Sequence, residues 1–568
     1  MTDFDVCVIG SGAGGGPVAL ALSEAGYSVV VLEKGAWFKE TDFYKDELAA
    51  ARRSAYSPDL RKEPHVIETK DGRGSWTGTN TYRSGWNFWN GNCIGGATNF
   101  MSGFFHRLKP LDFKLRSTFG PIKDADVVDW PITYANLEPY YDKVEQLVGI
   151  SGKVTPHEFL EPRSSPDFPY PPTVEHPIAK WVDTACSKMG LNPVKTPRAI
   201  LSRPAMGRTS CSYNGYCGGF GCATGAKGSS RAALLSKATA TGRCEIRTHA
   251  VVSKLISDNS GRVTGAEYIN QQGRPQQVDA KIYVVACQAI ETARLLLLST
   301  GPRHKNGLAN GSGRVGKNLL FAGGGAGSGK FVYAKFSPAQ ADELKTFGTF
   351  INRTLQDWYV INDPKFGPRQ KGGIIDIIFA SAAPIARAAR QIRGGDKLIW
   401  GAPLQEKLKS HFHDARYVKL EAFCDWLPDA NTHVTLDPGV KDIWGRPVAR
   451  VRVGGHFRNI PVGWYLAEKG AEVLRQMGAD NVFSFASGTP PTNLVAGTCR
   501  FGDDPTTSVL NSDCRAHEVE NLYVTDGSFM PTGGSVPYTW TIYANAFRVA
   551  DQIIKQLGGG KQSTIIRT

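Results

Sequence analysis

Three cysteines stand close together in the middle of the 568-residue chain, in the segment "SCSYNGYCGGFGCATGAKGSS". Cys211, Cys217 and Cys222 lie among glycines and are separated by five and then four residues. A structural zinc site normally offers C-x-x-C pairs or nearby histidines, which this spacing lacks. Thiolates also hold iron–sulfur clusters, and a glycine-rich loop can supply them without paired spacing. The residues alone leave three interpretations: an iron–sulfur cluster, a zinc site or three free thiols.

The N-terminal stretch "DFDVCVIGSGAGGGPVALALSEAGYSVVVLEKG" has the pattern of a nucleotide-binding unit. It predicts a strand over 6–9, a helix over 17–25 and a second strand over 27–32. Between the first strand and the helix, Gly10, Gly12 and Gly15 supply G-x-G-x-x-G. Glycines at this spacing let the backbone approach a pyrophosphate at the helix N-terminus, where unpaired N–H groups favour negative charge. Glu33, at the end of the second strand, is placed to accept hydrogen bonds from a ribose, so the unit predicts FAD or NAD.

Position and later segments favour FAD over NAD. The motif begins ten residues from the N-terminus, and "AKIYVVACQAIETARLLLLS" predicts another strand, turn and helix much later in the chain. A third piece, "NLYVTDGSFMPTGG", stands near the C-terminus. Dispersed pieces that converge on one cofactor suit a long dinucleotide lying across a domain.

Composition and charge limit the class of protein. Hydrophobic residues make up 41% of the chain and the 63 glycines form no repeat, which is typical of a globular protein. Its length predicts more than one domain. The formal net charge is +14, but no run of five or six basic residues occurs, so we expect no nucleic-acid partner. The sequence enters a strand at once and has no run of eighteen apolar residues, so we expect no export signal of its own and no membrane span.

Nearly the whole chain resembles the glucose-methanol-choline (GMC) oxidoreductases, in the branch that contains the large FAD subunits of bacterial gluconate, sorbitol and glucose dehydrogenases. The resemblance lies in the N-terminal unit, the cysteine segment, "GNCIGGATNFMSGFFHRLKPLDF", "DWPITYANLEPYYDKVEQLVGISG", "VVACQAIETARLLLLS", "LPDANTHVTLDP" and "GTCRFGDDPTTSVLNSDCRAHEVENLYVTDGSFMPTGGSVPYTWTIYANAFRVADQI". It implies an α/β fold, with a Rossmann-like FAD-binding domain and an inserted α+β substrate domain. The implied FAD domain is discontinuous (1–50, 75–105, 206–325 and 497–560), the substrate domain comprises 106–205 and 326–496, and 206–230 is an iron–sulfur loop.

The resemblance also implies residues for each cofactor. The three cysteines of the loop would hold a [3Fe-4S] cluster, which passes electrons from the flavin to a partner and so favours a dehydrogenase over an oxidase. Cys287 stands where the family has the glycine of an Ala-Gly pair. The residues that would contact FAD are Gly10, Gly12, Ala13, Gly15, Glu33, Gly96, Ala97, Thr98, Asn99, Val252, Ala286, Asp526, Gly527, Val536 and Thr539.

Partners follow from the same resemblance. The implied substrate is a small polyhydroxylated molecule such as a sugar, glycoside or sugar acid. A small co-exported subunit and a cytochrome or other electron acceptor would complete the assembly, with membrane association only through a partner. That arrangement would place the chain in the periplasm, while its own sequence is equally compatible with the cytoplasm.

The catalytic pattern of the family is interrupted. The resemblance implies a histidine base three residues before "GT-x-R-x-G" and a second polar residue in the last turn, where this chain has Leu494 and Pro537. Neither can accept a proton. We therefore expect either a base from elsewhere, a different flavin dehydrogenation, or a chain that retains its cofactors for electron transfer or structure. The candidates for a base from elsewhere are Tyr538, His411 and His413, and Asn493 would orient the substrate. If the two histidines lie in a strand, alternation would put both on one face.

The glycine-rich stretch "NLLFAGGGAGSGKFV" at 318–332 resembles a phosphate-binding loop only superficially. Its Gly-Ser-Gly-Lys lacks the spacing and ending of G-x-x-x-x-G-K-[ST]. We expect a flexible loop or a place where two backbones pack closely.

Overall fold

The computed structural model describes residues 3–44, 46–47, 56–70, 74–367, 369–380, 382–487 and 493–560. Its N-terminal unit consists of strand β1 (Phe4–Ile9), helix α1 (Gly15–Glu24) and strand β2 (Val29–Leu32). Every residue of β2 and nearly every residue of α1 is buried. The strand–turn–helix–strand prediction is confirmed.

This unit belongs to a five-stranded parallel sheet. Strand β3 (Ala280–Val285) pairs with β1 on the side away from β2 and leads into helix α2 (Ala289–Leu298), as the later segment predicted. Leu522–Val524 and Cys244–Arg247 form the two edges of the sheet. The carboxyl ends of parallel strands meet at one edge, so the loops after β1, β2 and β3 converge there.

A second sheet, largely antiparallel, forms the other layer of the molecule. Its centre consists of the sixteen-residue strand β4 (Lys317–Val332), β5 (Gly373–Ile378) and β6 (Ala415–Asp425), with β6 between the other two. Helix α3 (Asn459–Gln476) packs across β4 and β6. The remaining strands of this sheet are Val194–Lys195, Arg353–Leu355, Asp480–Phe485 and Val495–Thr498.

Strand β4 contains the glycine-rich stretch. The expectation of a flexible loop there is wrong, and the expectation of close backbone packing is correct. A Cβ on Gly325 would lie 2.4 Å from the Gly463 carbonyl oxygen, and a Cβ on Gly327 would lie 2.5 Å from the Phe483 carbonyl oxygen. The absence of side chains lets α3 and the neighbouring strand approach β4 directly.

Smaller elements surround the two sheets. Helix α4 (Thr539–Gln556) is mostly buried and packs against α1. None of the described helices is both long and apolar enough to cross a bilayer. Within the described ranges, the other strands are Val66–Lys70, Trp76–Asn80, Val251–Ser257, Val263–Ile269, Pro275–Val278, Val360–Ile361, Gln370–Lys371, Arg393–Gly394, Lys397–Leu398, His433–Lys441 and Pro447–Arg452. The other α-helices in these ranges are Thr81–Ser84, Leu115–Phe119, Tyr134–Val144, Ile178–Lys188, Ser236–Ala240, Pro338–Lys345, Pro384–Ala389 and Ala402–Phe412.

The architecture is the α/β fold that the sequence predicted. The domain boundaries over 1–50, 75–105, 206–325 and 497–560 stay a prediction. One part of the secondary-structure interpretation is wrong: His411 lies in the last turn of the helix Ala402–Phe412, and His413 follows that helix, rather than both lying in a strand.

Replacing Gly325 by alanine should destabilise the protein, because the new Cβ would lie 2.4 Å from the Gly463 carbonyl oxygen and 2.8 Å from the Ala467 Cβ of α3. We expect a loss of about 1–3 kcal/mol in the free energy of unfolding, measured by urea denaturation. Gly439→Ala is the matched control, because a Cβ there meets nothing closer than 3.8 Å. Equal stability of the two variants would contradict the packing described.

Candidate functional site

A cavity of about 330 Å³ opens at the carboxyl ends of the parallel strands and extends under the second sheet. It is lined by the loops after β1, β2 and β3, by residues 96–98 and 100–104, and by the start of α4. Strand β6 contributes Glu421 and Phe423 from above. The cavity therefore lies between the two layers, where a long ligand can contact both.

The glycine turn forms one end of the cavity. Gly10 has φ +96°, and a Cβ on it would lie 2.3 Å from the Ala286 carbonyl oxygen, so only glycine fits there. Gly15 is equally restricted, since its Cβ would lie 1.9 Å from the Gly10 carbonyl oxygen. A Cβ on Gly12, in contrast, would meet no protein atom within 4 Å and would project into open space. Helix α1 also begins at Gly14 without a side-chain cap, which leaves backbone N–H groups for an anionic ligand.

Glu33 is buried beside this turn and lines the cavity. One carboxylate oxygen accepts hydrogen bonds from the Ser11 backbone N–H (3.1 Å) and hydroxyl (2.6 Å), and the other accepts one from the Gly35 N–H (2.9 Å). The Ser11 hydroxyl oxygen in turn accepts a bond from the Gly95 N–H (2.9 Å). Burial raises the pKa of Glu33 above its usual range, and these hydrogen bonds oppose that effect.

Asp526, which follows the edge strand Leu522–Val524, holds the loop after β3 in the same way. Its carboxylate accepts hydrogen bonds from the Gln288 N–H (2.9 Å), the Thr292 hydroxyl (2.5 Å) and the Ser528 N–H (2.8 Å). Burial raises the pKa of Asp526 as well. Both acids thus hold loops of the cavity in place and also face its interior.

Most of the predicted cofactor contacts line this one cavity, although they come from all parts of the chain. They are Gly10, Gly12, Ala13, Glu33, Gly96, Ala97, Thr98, Val252, Ala286, Asp526, Gly527 and Thr539.

Three other predicted contacts lie behind the cavity wall. Gly15 packs against Gly10, and Val536 is buried outside the lining. The Asn99 amide donates to the carbonyl oxygens of Ile94 (2.9 Å) and Gly96 (3.0 Å), so it shapes the loop. Cys287, which replaces the glycine of the Ala-Gly pair, lines the cavity, and its thiol contacts the Ile9 carbonyl oxygen at 3.3 Å.

The altered catalytic positions meet at one corner of the cavity. Asn493, Leu494, Pro537 and Tyr538 all line it. The Tyr538 hydroxyl donates a short hydrogen bond to the Leu494 carbonyl oxygen, and burial with the nearby Asp425 carboxylate raises the pKa of Tyr538 well above its ordinary value. A phenol held in this state does not accept a proton near neutral pH, so the structure gives no support to Tyr538 as the base.

His411 and His413 are also unsuitable. Neither lines the cavity. His411 lies 3.3 Å from an Arg387 nitrogen, and His413 is exposed beside Asp414. The interpretation of these histidines depended on a strand, and the helix removes that basis.

Behind the Tyr538 corner lies a network of buried polar groups that the sequence reasoning missed. The Lys371 ammonium donates to the Ser535 hydroxyl (2.6 Å) and lies 3.2 Å from the Asp112 carboxylate. Asp425, on the end of β6, lies 3.4 Å from the Ser535 hydroxyl. Burial raises the pKa of Asp425 to about 6, although the Lys371 charge opposes the shift.

The three predicted thiols also converge. Cys211, Cys217 and Cys222 line a second cavity of about 30 Å³. Among the described residues, no group of three or more His, Cys, Asp or Glu side chains is arranged to hold a single metal ion. In a cluster, each thiolate binds a different iron, so the sulfurs need not converge on one point as they do around a single ion.

Two buried cations lie near the three thiols: Lys227 lines the thiol cavity, and Arg198 lies close enough to act on Cys217 and Cys211. The Lys227 ammonium donates to the carbonyl oxygens of Asn99 (3.1 Å), Cys217 (3.1 Å) and Phe220 (2.8 Å), and the Arg198 guanidinium donates to the Ser102 carbonyl oxygen (3.0 Å). Both side chains are 3% exposed, and neither has a carboxylate ion-pair partner within the described ranges. Buried charges are normally paired, so this pair of cations fits an anionic group in the cavity.

The cations also act on the thiols themselves. Burial raises the pKa of Cys211 to about 11. Burial has the same effect on Cys222, but the Lys227 charge and hydrogen bonds from Thr224 outweigh it and lower the pKa of that thiol below its usual value. The pocket thus favours the thiolate form at Cys222, which is the form that binds metal.

One short segment separates the two cavities. Ser102 lines the large cavity, while its carbonyl oxygen lies 3.8 Å from the Cys217 sulfur. The Phe100 carbonyl oxygen accepts a hydrogen bond from the Gly219 N–H (2.8 Å). The wall between the cavities is therefore a single stretch of backbone over 99–104.

The parallel sheet, the glycine turn and the buried acid after β2 define a dinucleotide-binding protein. The comparisons identify the family. Family models for GMC oxidoreductases match residues 171–321 and 428–546. The chain is 32% identical to 2-methyl-1,2-propanediol dehydrogenase of Mycolicibacterium austroafricanum, covering 97% of this chain and 95% of that protein. This chain belongs to the GMC oxidoreductase family, which implies FAD as its cofactor.

Two further comparisons agree with this assignment. The fructose dehydrogenase large subunit of Gluconobacter japonicus is 27% identical over 98% of this chain and 98% of its own. Formate oxidase of Aspergillus oryzae RIB40 has the same fold, with a TM-score of 0.59 at 13% identity over 97% of this chain and 98% of that one. The resemblance stated from the sequence is confirmed, as are the predicted fold and enzyme class.

Replacing Gly12 by leucine should abolish FAD binding without unfolding the protein. The added side chain meets no protein atom near its Cβ and would occupy the cavity instead. We expect purified Gly12→Leu to lose its visible flavin absorption and to keep the far-ultraviolet circular dichroism of the wild type. Gly439→Leu, which lies outside the cavity, should keep both. Full flavin content in Gly12→Leu would show that FAD binds elsewhere.

Proposed function

We propose that this protein is an FAD-dependent dehydrogenase that oxidises a hydroxyl group of a polyhydroxylated substrate and delivers the electrons to a partner through a [3Fe-4S] cluster. The observation that supports it best is the single wall between the dinucleotide cavity and the thiol cavity. FAD, when bound, supplies a two-electron hydride acceptor, and an iron–sulfur cluster supplies a one-electron exit. The adjacency of the two cavities supports a short route for electrons from one group to the other.

The residues of the first cavity divide into two roles. The glycine turn and the N-terminus of α1 bind the pyrophosphate, with Glu33 positioned for the ribose. Residues 96–98 and Gly527, which also line the cavity, would contact the flavin. The space under β6, between Phe423, Ser102 and Leu494, is left for the substrate.

The thiol cavity fits a cluster by its donors and by its charge. Cys211, Cys217 and Cys222 supply three thiolates, and Lys227 and Arg198 offset the negative charge that three thiolates bring into a buried site. Each of these features is independent of the family assignment. A partner that takes up the electrons, such as a cytochrome, is consistent with the relative named a fructose dehydrogenase large subunit.

The corner at Leu494 and Pro537 supports a second candidate function. Leu494, Pro537 and the hydrogen-bonded Tyr538 provide no group there that accepts the hydroxyl proton. A chain that binds FAD and the cluster for electron transfer or structure, or that performs another flavin dehydrogenation, would need no such group. The two functions differ in whether an alcohol reduces the flavin.

Anaerobic addition of sugars, sugar acids, glycosides and small diols to the FAD-loaded protein distinguishes the two. Under the main proposal, at least one of these compounds bleaches the visible flavin band, followed by absorption spectroscopy. If the band persists with every compound while dithionite bleaches it, the dehydrogenase proposal is wrong and the electron-transfer function is favoured.

Changing Cys217 to serine should remove the cluster and leave FAD in place, because Cys217 lines only the thiol cavity. We expect loss of protein-bound iron and of its electron paramagnetic resonance signal, with unchanged flavin content. Cys244→Ser, which changes a buried thiol on the edge strand Cys244–Arg247 of the parallel sheet, should retain the iron. The cluster assignment fails if the wild type binds no iron after anaerobic reconstitution, or if Cys217→Ser keeps the wild-type signal.

A further inference from the structure

Most of the titratable side chains that line the large cavity have partners. Glu33 and Asp526 accept the hydrogen bonds described above, and Lys34 pairs with Glu63 at 2.6 Å. The others at the same end are held by ion pairs: Glu291 with His65, and Arg294 and Arg446 with Asp442. Glu421 differs, because it has no hydrogen-bond or ion-pair partner anywhere in the described chain, although it faces the interior of the molecule.

The position of Glu421 follows from the register of β6. Side chains alternate along a strand, so Glu421, Phe423 and Asp425 lie on one face, and the first two line the cavity. Glu421 pairs with Ala326 of β4, while Asp425 pairs with Ala322, whose N–H donates to the Leu494 carbonyl oxygen (3.2 Å). Four residues of extended strand correspond to about 13 Å. Glu421 therefore lies well away from the Leu494 corner, at the other end of the substrate space.

A second carboxylate stands beside Glu421. Asp376 of β5 is its direct cross-strand partner, so both side chains lie on the same face of the sheet. The Asp376 side chain is fully buried, and one of its oxygens has no hydrogen-bond partner. The other accepts a bond from the Thr354 hydroxyl and lies 3.6 Å from His106 Nε2, which itself lacks a hydrogen-bond partner.

Few cations are available to balance these two acids. Lys419, on β6, and Arg198 act on them only at a distance, and neither forms an ion pair with Glu421 or Asp376 in the described part of the chain. Ala326 on β4 brings no charge. Burial raises the pKa of Glu421, with the Asp376 charge adding to the effect and Lys419 opposing it. Within the described chain, Glu421 thus borders an open cavity without a cation at ion-pair distance.

We propose that Glu421 binds a protonated amino group of the substrate, so that the preferred substrates are amino-bearing alcohols such as amino sugars or amino polyols. An ammonium group compensates a buried carboxylate and can donate up to three hydrogen bonds. Its distance from the Leu494 corner makes Glu421 a specificity residue rather than the proton acceptor for the oxidised hydroxyl. The inference rests on the proposed function only in placing the flavin and substrate in this cavity.

The test uses pairs of probes that differ in charge: D-glucosamine against D-glucose, and 2-aminoethanol against 1,2-ethanediol, with N-acetyl-D-glucosamine as a neutral control. Dissociation constants come from perturbation of the flavin absorption band in the anaerobic FAD-loaded protein, which requires no turnover. We expect the wild type to bind the amine of each pair about tenfold more tightly than its neutral counterpart, as for a hydrogen-bonded charge.

Glu421→Gln should reduce the affinity for both amines about tenfold and change the affinity for the neutral probes less than twofold. The affinity of Glu421→Asp for the amines should lie between those of the wild type and Glu421→Gln. Glu406→Gln, which removes an exposed carboxylate outside the cavity, should behave as the wild type. The flavin content of each variant reports on folding.

The pH dependence provides an independent readout. Burial raises the pKa of Glu421, so as the pH is lowered its carboxyl takes up a proton sooner than an ordinary glutamate does and loses its attraction for the cation. As the pH is lowered, affinity for 2-aminoethanol, whose ammonium group stays charged, should fall in the wild type and stay flat in Glu421→Gln. Asp376, His106 and Lys419 are retained in both proteins, so the difference isolates Glu421.

Three results would overturn the proposal: equal wild-type affinity for the two members of each pair, no spectral response to either amine, or an equal loss of affinity for amines and neutral probes in Glu421→Gln. An equal fall in the flavin-reduction rate with charged and neutral alcohols would instead identify Glu421 as the proton acceptor and would also contradict the subsite. Failure of every alcohol to bleach the flavin would contradict the proposed function but not the Glu421 subsite, because binding is measured without reduction.

Discussion

The hydrogen bonds around Glu33 connect the parts of the molecule on which the proposed site depends. Through Ser11 and Gly35, this carboxylate fixes the end of β1 to the end of β2, and the Ser11 hydroxyl continues the contact to Gly95. Gly95 begins the segment that becomes the wall between the two cavities. One buried acid therefore positions the glycine turn, the end of the cavity proposed for the ribose, and the start of the wall. Its burial is tolerated because both oxygens are hydrogen-bonded.

The antiparallel sheet is assembled mainly by close backbone packing rather than by ion pairs. Glycines along β4 let α3 and the neighbouring strands approach at backbone distance, and the resulting sheet carries Phe423 and Glu421 over the cavity. The chemistry of the site is thereby divided between layers. The parallel sheet supplies the groups suited to a dinucleotide, and the antiparallel sheet supplies the groups that would meet the substrate.

The features that the sequence predicted correctly depend on local spacing. The glycine turn with Glu33, the strand and helix around Ala286, and the approach of Cys211, Cys217 and Cys222 each arise within about thirty residues. The acids near the substrate space do not. Glu421 and Asp376 become neighbours only through the register of β5 and β6, which hydrophobic patterning does not specify. The sequence wrongly predicted a strand at His411 and His413, because a helix end followed directly by a strand shows neither helical nor strand periodicity of its apolar residues. The alternation of Glu421, Phe423 and Asp425 with buried residues, in contrast, could have indicated a strand with one face toward a cavity.

Strand β4 connects the two ends of the substrate space. Along one side it is bonded to Val495–Thr498, next to Leu494, and along the other to β6, which carries Glu421. Its sixteen residues include two shifts of pairing register, between Lys317 and Leu320 and between Ser328 and Lys330. Because one strand supports both the Leu494 corner and Glu421, we expect a substitution that distorts β4 to alter both ends of the substrate space.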